Sequence, residues 1–490
     1  MYNRNCFFWR GFCCTFFMTR LNLLLILFFL LFFSFGAHTQ ELILKKGTVM
    51  DSLTIQDSIP NTFSLFLPQE FELKGKWPLL VVFDMKGRGR KELSKFVQAA
   101  NRYNYILAAS NVIHDSLSLT ENMVRTKKLV NHLIDLLPIN KSRVFTGGIE
   151  DGGRFANLVP IFLKDIEGSV CVNAPIANIE LLNTKNPFQY IGVVEKSNFN
   201  YPILLQDEKV LNGLKFPNSI LLSDTSVKEF NQTMGRALAY LELSAMARGT
   251  VKKDSLFIDE LYQEDLQHIG QLIGQKSYLK ANRAMAETLN IFRTLKNMDS
   301  IRNLKKNLKR NKDFRAQKRE EEAAIFKETL LREDFAYYMG EDIRTYNFNN
   351  LGWWNYQKSQ IEKYKEDSSI AVSQMGNRLD GYVNALIEDN QDIVKSQETI
   401  DEEALVFLYM LKTITAPSNF DNYLKVASIA SKNEDYGTAL FYLEEALKKG
   451  FNSKDALYTI PHTALLRITP EFNALVKKYF DSARYKVIDQ

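Results

Sequence analysis

The stretch that decides the fold reads RVFTGGIEDGGRFA from Arg143 to Ala156. Its apolar first half predicts a buried strand, its glycines predict a tight turn, and its last residues predict the start of a helix. Glycines 148 and 152 stand two positions to either side of Glu150. Small residues are needed where strand and helix backbones approach closely. The stretch therefore predicts a sharp strand-to-helix turn, here called the elbow, with Glu150 at its apex.

Strand-like and helix-like segments alternate along the first half of the chain. This alternation predicts an α/β fold with a doubly wound, mostly parallel sheet and helices on both faces. The predicted strands are Glu41–Lys45, Thr62–Leu67, Leu79–Phe83, Tyr105–Ser110, the strand of the elbow, Gly168–Val172, Phe188–Val194 and Ser219–Leu222. The predicted helices are Lys91–Arg102, Thr120–Leu137, the helix from the elbow to Lys164, and Lys228–Leu243.

Beyond residue 246 only helical spacing remains. The sequence predicts an α/β part at residues 40–245, a helical region with a long charged helix at 246–400, and a second helical part at 401–490. Basic residues dominate Arg302–Arg319, and three glutamates follow at 320–322. We interpret this run as one long solvated helix, with contact to a membrane surface or an acidic glycan as the alternative.

An aromatic pair, Trp353 and Trp354, lies in the middle of the helical region, with Tyr356 close behind. Adjacent side chains point in different directions on a helix. This favours burial between two helical layers over a flat platform on which a sugar stacks. A glycan or another small ligand stays open as a binding partner.

The last hundred residues hold one unit that resembles a tetratricopeptide repeat. A turn at 433–436 separates its two helical segments, and the helix predicted at Glu402–Thr415 would complete its packing. The resemblance implies a region that binds another protein. The residues at the repeat-type positions are Tyr423, Val426, Ala427, Ala430, Ala439, Leu443 and Ala446.

The N-terminus has the pattern of a secretory signal peptide at residues 1–39. Arg20 precedes an apolar run from Leu21 to Phe35, and small residues then precede Gln40, where cleavage is expected. An uncleaved anchor and a true start at Met18 are the alternatives. Without the three arginines of this segment, 59 basic residues stand against 57 acidic ones, so charge gives no reason to expect nucleic acid as a partner. We expect an exported protein, periplasmic or associated with the cell envelope of a Gram-negative bacterium.

Four segments between residues 60 and 243 form a common pattern: Trp77–Asp84, Tyr105–Ser110, the elbow and Gly192–Tyr201. With these segments, residues 60–243 resemble the esterase and poly(hydroxyalkanoate)-depolymerase-like branch of the α/β-hydrolases. The resemblance implies a catalytic Ser at the elbow, an acid in the segment Gly192–Tyr201, and a His in the loop after the last strand. This chain has Glu150 and Asn198 at the first two positions, and Asp224 in a His-free loop at the third.

Acyl transfer needs a nucleophile, a base and a group that orients the base. In α/β-hydrolases the base follows the acid along the chain, yet no His lies between residues 133 and 267. We therefore predict a non-catalytic hydrolase-like protein that binds or scaffolds a partner through its helical region. The alternative is an active carboxylic-ester hydrolase with an atypical site that uses Glu150 and either His114 or His268.

Acidic residues also stand at the predicted carboxyl ends of the strands, where open α/β sheets bind ligands. Clustered carboxylates favour Ca²⁺ or Mg²⁺, but the same residues are common at helix N-termini. We predict no metal and no cofactor, and we keep a cation site as an alternative. Its candidate ligands are Asp84, Glu150, Asp151 and Asp224.

Overall fold

The computed structural model describes residues 44–55, 61–223 and 226–485. The signal-peptide pattern and Asp224 lie outside these ranges. Eight strands form one sheet: β1 (Val49–Ile55), β2 (Asn61–Phe66), β3 (Trp77–Phe83), β4 (Ile106–Ser110), β5 (Ile139–Ile149), β6 (Gly168–Val172), β7 (Gln189–Glu195) and β8 (Asn218–Ser223).

The strand order across the sheet is β1-β2-β4-β3-β5-β6-β7-β8. Strand β2 runs antiparallel to both of its neighbours, and every other neighbouring pair is parallel. The predicted α/β class with a mostly parallel sheet is therefore confirmed. Strands β3 and β5 lie at its centre, so the elbow that follows β5 stands in the middle of its carboxyl edge.

Helices connect the strands, and every element that follows β8 in the described residues is a helix. Those of the α/β part are α1 (Gly89–Ser94), α2 (Val97–Arg102), α3 (Leu119–Leu136), α4 (Asp151–Phe162), α5 (Tyr201–Gly213) and α6 (Val227–Arg248). The helical region contains α7 (Ser255–Gly274), α8 (Tyr278–Ile291), α9 (Asp299–Leu308), α10 (Lys312–Thr345), α11 (Leu351–Lys365), α12 (Ile370–Lys395), α13 (Glu402–Thr415), α14 (Phe420–Lys432), α15 (Tyr436–Lys448), α16 (Lys454–Leu457), α17 (Ala464–Arg467) and α18 (Pro470–Phe480).

The core of the α/β part extends into the first helices of the helical region. Side chains alternate across each strand, so every second residue of a central strand faces the same layer. Leu80 and Val82 of β3 share one cluster of buried residues with Leu238 of α6, Ile269 of α7 and Met285 of α8. Sheet and helices are thus joined by apolar packing up to Phe314, at the start of α10.

The first strand differs from its prediction. Leu44 and Lys45 are not part of a strand, and the residues before them lie outside the described ranges. The edge strand β1 begins at Val49 instead and has an irregularity in its pairing between Met50 and Leu53. Within β1, the carboxylate of Asp51 accepts hydrogen bonds from Ser64 of β2 and from Asn111, which follows β4.

Two predicted helices are each broken in the structure. The segment Lys91–Arg102 forms α1 and α2, because the chain turns at Lys95 and places Phe96 in the core. The basic run Arg302–Arg319 forms the end of α9 and the start of α10. The side chain of Asn311 caps α10 by accepting hydrogen bonds from two of its first N–H groups, so a new helix begins there.

The later helical predictions agree with the structure. Helix α13 has the predicted bounds, and α14 and α15 form a pair joined by a turn at 433–435. All seven residues at the repeat-type positions are buried. Trp354 is also buried, against Phe335 and Trp353, so it cannot serve as a stacking platform. Within the described residues, none of the helices has the length and apolar character needed to span a membrane.

Candidate functional site

The elbow has the strained backbone that its sequence predicts. Glu150 has φ 52° and ψ −118°, a conformation that side-chain-bearing residues rarely adopt. Its N–H donates a hydrogen bond to the main-chain oxygen of Val172, and its own oxygen accepts one from the N–H of Arg154. The apex is therefore fixed between β6 and the first turn of α4.

The two flanking glycines allow the close crossing of strand and helix. A Cβ atom on Gly152 would lie 2.0 Å from the main-chain oxygen of Phe83, at the end of β3. A Cβ atom on Gly148 would lie 2.4 Å from the carbonyl carbon of Gly152. Neither position can hold a larger residue without moving α4. The sequence spacing thus reports a steric requirement of the fold.

The side chain at the apex is exposed and has no partner for its carboxylate. Glu150 faces solvent. Among residues 44–55, 61–223 and 226–485, none forms a hydrogen bond or an ion pair with its carboxylate. The structure thus brings neither His114 nor His268 into contact with Glu150.

Each of these two histidines has other surroundings. Nδ1 of His114 lies 2.9 Å from Oγ of Ser116 and 2.8 Å from the carboxylate of Asp115. His268 lies on α7 and lines a polar cavity of about 460 Å³ beside Arg236 of α6 and Lys280 of α8. Burial, together with these two cations, lowers the pKa of His268 to about 4, so its imidazole is neutral at pH 7.

Asn198, at the position where the family resemblance implies an acid, acts as a turn residue. Its N–H donates to the oxygen of Glu195 at the end of β7, and its side-chain oxygen accepts from the N–H of Asn200 at 2.9 Å. Asn200 in turn donates to the main-chain oxygen of Asn173, after β6. The carboxamide of Asn198 therefore shapes the loop, a role typical of Asn in turns.

The helical region holds this loop by its main-chain oxygens. Arg378 of α12 donates to the oxygen of Lys196 at 2.6 Å, and Arg332 of α10 donates to the oxygen of Phe199 at 2.7 Å. Both guanidinium groups are paired with Glu328, at 2.6 Å and 2.7 Å. The Glu328 and Arg378 side chains are only 1% and 3% exposed. We call Arg332, Arg378 and Glu328 the clamp.

Further contacts fix the two ends of the loop. The ammonium of Lys196 lies 2.6 Å from the carboxylate of Glu321 on α10, and the hydroxyl of Tyr201 donates to that carboxylate at 3.2 Å. Gly381 of α12 faces the ring of Phe199, which a Cβ atom would approach to 3.2 Å. The loop after β7 is thus packed under two long helices.

The predicted carboxylate cluster does not form a metal site among the described residues. Asp84 is engaged by Arg88, which donates to both of its oxygens at 2.9 Å. Burial of Asp84 disfavours its charge, but the hydrogen bonds and charge of Arg88 outweigh this and lower its pKa. No group of three His, Cys, Asp or Glu in the described ranges could hold a metal ion. Asp224 is not part of those ranges.

The clamp is the feature of the site that sequence reasoning missed. One pattern could have drawn attention to Arg378, but not to its partner. Arg378 stands between Met375 and Leu379 on the buried face of α12, where its nearest buried neighbours along the helix are apolar. A charged residue on such a face is expected to have a buried partner. The partner Glu328 lies 50 residues away on another helix, and spacing along one helix cannot identify it.

Solved structures of hydrolases align with part of this chain. The fluorophosphonate-binding serine hydrolase F of Staphylococcus aureus is 13% identical, with 40% of this chain and 99% of that chain covered, at a TM-score of 0.34. The S-formylglutathione hydrolase of the same organism is 14% identical, with coverages of 41% and 99% and a TM-score of 0.32. Est1E from Butyrivibrio proteoclasticus is 10% identical, with coverages of 40% and 98% and a TM-score of 0.32. No family model and no curated protein matches the chain.

Proposed function

We propose that this chain is an exported α/β-hydrolase-like protein that does not hydrolyse esters. It would act as a binding or scaffolding module through its helical region. The observation that carries the proposal is the clamp. Arg332 and Arg378 bind the main chain of the loop that a hydrolase would use to present its acid. Here that loop joins the sheet to the helices.

The chemistry of the elbow supports the same proposal. Ester hydrolysis needs a base within hydrogen-bond reach of the nucleophile, about 3 Å away. Glu150 has no such partner among the described residues. A Glu is also one methylene longer than an Asp, which places its oxygens beyond an oxyanion hole suited to a shorter side chain. Asn198, which is neutral, cannot supply the charge that orients a histidine.

The helical region would supply the binding function. Its helices α13, α14 and α15 pack side by side, and the repeat-like pair α14–α15 is of a kind that presents surfaces to other proteins. Export would follow from the signal-peptide pattern at residues 1–39, with the protein in the periplasm or at the cell envelope. In this arrangement the sheet is a rigid platform and the helices carry the contacts.

One observation favours the alternative of an active carboxylic-ester hydrolase. The strained backbone at Glu150 is retained, and its carboxylate is exposed at the apex. Carboxylates form covalent ester intermediates in other enzymes. Such a site would still need a group to activate water for the second step.

Hydrolysis of short-chain nitrophenyl esters tests the two functions. We expect the purified protein and its Glu150→Ala variant to release nitrophenol at the rate of buffer alone. The control is Glu180→Ala, which removes another exposed acid, on a short helical turn after β6. Activity in the wild type and in this control, but not in Glu150→Ala, would overturn the proposal and establish Glu150 as catalytic.

A further inference from the structure

A furrow of about 440 Å³ lies between α13 and α15, and we call it the α13/α15 groove. Helix α14 packs against both of these helices and thereby holds them apart. The residues of the furrow come from both helices, from Ala430 near the end of α14, from the turn after α14, and from Phe348. The groove belongs to the helical region and lies apart from the elbow and the clamp in sequence.

The floor of the α13/α15 groove is apolar. Val406 and Met410 line it from α13, and Phe441 and Tyr442 line it from α15. Phe441 is 58% exposed, so its ring is available for contact with an occupant of the groove. Methionine adapts to partners of different shapes, and aromatic residues are enriched at the centres of interfaces. These residues favour an occupant that buries apolar side chains.

The charged residues of the groove all have one sign. Its described lining includes Glu402, Glu403 and Asp435 and no basic residue. Glu402 is already paired with Lys432 at 2.5 Å, and Asp435 accepts a hydrogen bond from the N–H of Thr438. The carboxylate of the exposed Glu403 forms no hydrogen bond or ion pair with any described residue. The rim therefore offers an acidic group to a basic side chain of the occupant.

We infer that the α13/α15 groove binds a segment of another protein that presents large apolar side chains next to a Lys or Arg. A small molecule would need to be enclosed over most of its surface. The groove is open at Phe441, so it can accept apolar side chains from one face of a partner segment, as when an amphipathic helix lies in a groove. This inference rests on the proposed binding function and specifies the chemistry of the partner.

The probe is a phage-displayed library of random peptides about 14 residues long, roughly four helical turns. Full-length wild-type protein is the target, and peptides that also bind Phe441→Ser are removed first. We expect the retained sequences to combine large apolar residues with Lys or Arg. A retained peptide should bind Phe441→Ser at least about tenfold more weakly, as expected for the loss of an interface hot spot.

Two further variants make the test specific. Glu403→Lys should weaken the binding of the selected peptide. A peptide with Glu in place of its basic residue should bind this variant more tightly than it binds the wild type. Phe326→Ser, which removes another exposed ring, on α10, should bind like the wild type. Circular dichroism confirms that each variant is folded.

Three outcomes would overturn the inference. The first is that no peptide binds the wild type in preference to Phe441→Ser. The second is that the selected peptides show no excess of Lys or Arg. The third is that a peptide with Glu in place of its basic residue binds Glu403→Lys no more tightly than it binds the wild type. Failure of the proposed function has a different readout, because it would show as ester hydrolysis that depends on Glu150. The two can therefore be distinguished in the same preparation.

Discussion

Arg378 on α12 donates a 2.6 Å hydrogen bond to the main-chain oxygen of Lys196, in the loop after β7. Its guanidinium is also bound to Glu328 of α10, so one buried side chain joins two long helices to the carboxyl edge of the sheet. The contact thereby fixes the loop after β7 beneath α10 and α12.

Replacement of Arg378 by Met should strongly destabilise the protein. The change leaves the carboxylate of Glu328 buried with only Arg332 as a partner. Breaking a buried pair from one side costs about 3–5 kcal/mol. The measurement is the free energy of unfolding from urea denaturation. The triple variant Arg378→Met/Glu328→Met/Arg332→Met should regain part of the loss, because it no longer buries any charge of the clamp.

The exposed pair of Arg302 and Asp299 on α9 provides the control for this prediction. Its charges are 2.8 Å apart, but both side chains are more than half exposed. Solvent-exposed pairs contribute little to stability. Arg302→Met should therefore unfold at the same urea concentration as the wild type. An equal loss for Arg302→Met and Arg378→Met would contradict the importance of the clamp.

A matched pair of glycine substitutions tests the steric origin of the elbow. Gly152→Ala places a Cβ atom 2.0 Å from the oxygen of Phe83, so α4 must move, at a cost of at least about 2 kcal/mol. Gly270, inside α7, has no atom within 4 Å of the same position. Gly270→Ala should stabilise the protein by about 0.5–1 kcal/mol, because Ala favours helix. Thermal unfolding of both variants is the measurement, and shifts of the same sign would refute the argument.

Relief of the strained apex should stabilise the protein. Gly adopts the backbone angles of Glu150 without steric cost. Relief of the strain should exceed the entropy that Gly adds to the unfolded chain, for a net gain of about 1 kcal/mol in Glu150→Gly. Glu180 has no positive φ, so Glu180→Gly should lose stability instead. The measurement is the free energy of unfolding of the two variants from urea denaturation. A loss of stability in Glu150→Gly would contradict the prediction and show that the Glu150 side chain stabilises the fold by more than its backbone strain costs.

The elbow was predictable because its requirement is local. The glycine spacing around Glu150 reports contacts within one strand–turn–helix unit, and the structure places them as expected. The helix at Glu402–Thr415 was equally predictable, because its acidic first turn and its run of apolar residues lie within one segment. Both features depend on residues that are neighbours along the chain.

The clamp and the edge strand were not predictable in this way. Arg378 and Glu328 are 50 residues apart, and Asp51 and Asn111 are 60 residues apart. In each pair, one residue supplies a hydrogen-bond partner of a polar group, Arg378 in α12 or Asp51 in β1, from a different segment of the chain. Only the tertiary structure shows which distant group compensates it, because many polar residues of the right type are available to each.

Asp207 on α5 should make the stability depend on pH between about 4 and 6. The N–H of Ile176 donates to its carboxylate at 2.8 Å, but burial is the larger effect and raises the pKa of Asp207 to about 6. In the unfolded chain the pKa is about 3.9. The folded protein therefore binds this proton more tightly, and the stability it contributes is lost as the pH rises through this window, by up to about 3 kcal/mol.

The variant Asp207→Asn isolates this contribution, because Asn keeps an acceptor for Ile176 and has no charge to titrate. Its free energy of unfolding should lack the decrease between about pH 4 and 6 that Asp207 causes in the wild type. Other groups, including His268, titrate in both proteins, so the difference between the two curves is the quantity to compare. Urea denaturation at several pH values gives both curves, and parallel curves across this range would refute the burial of an ionisable Asp207.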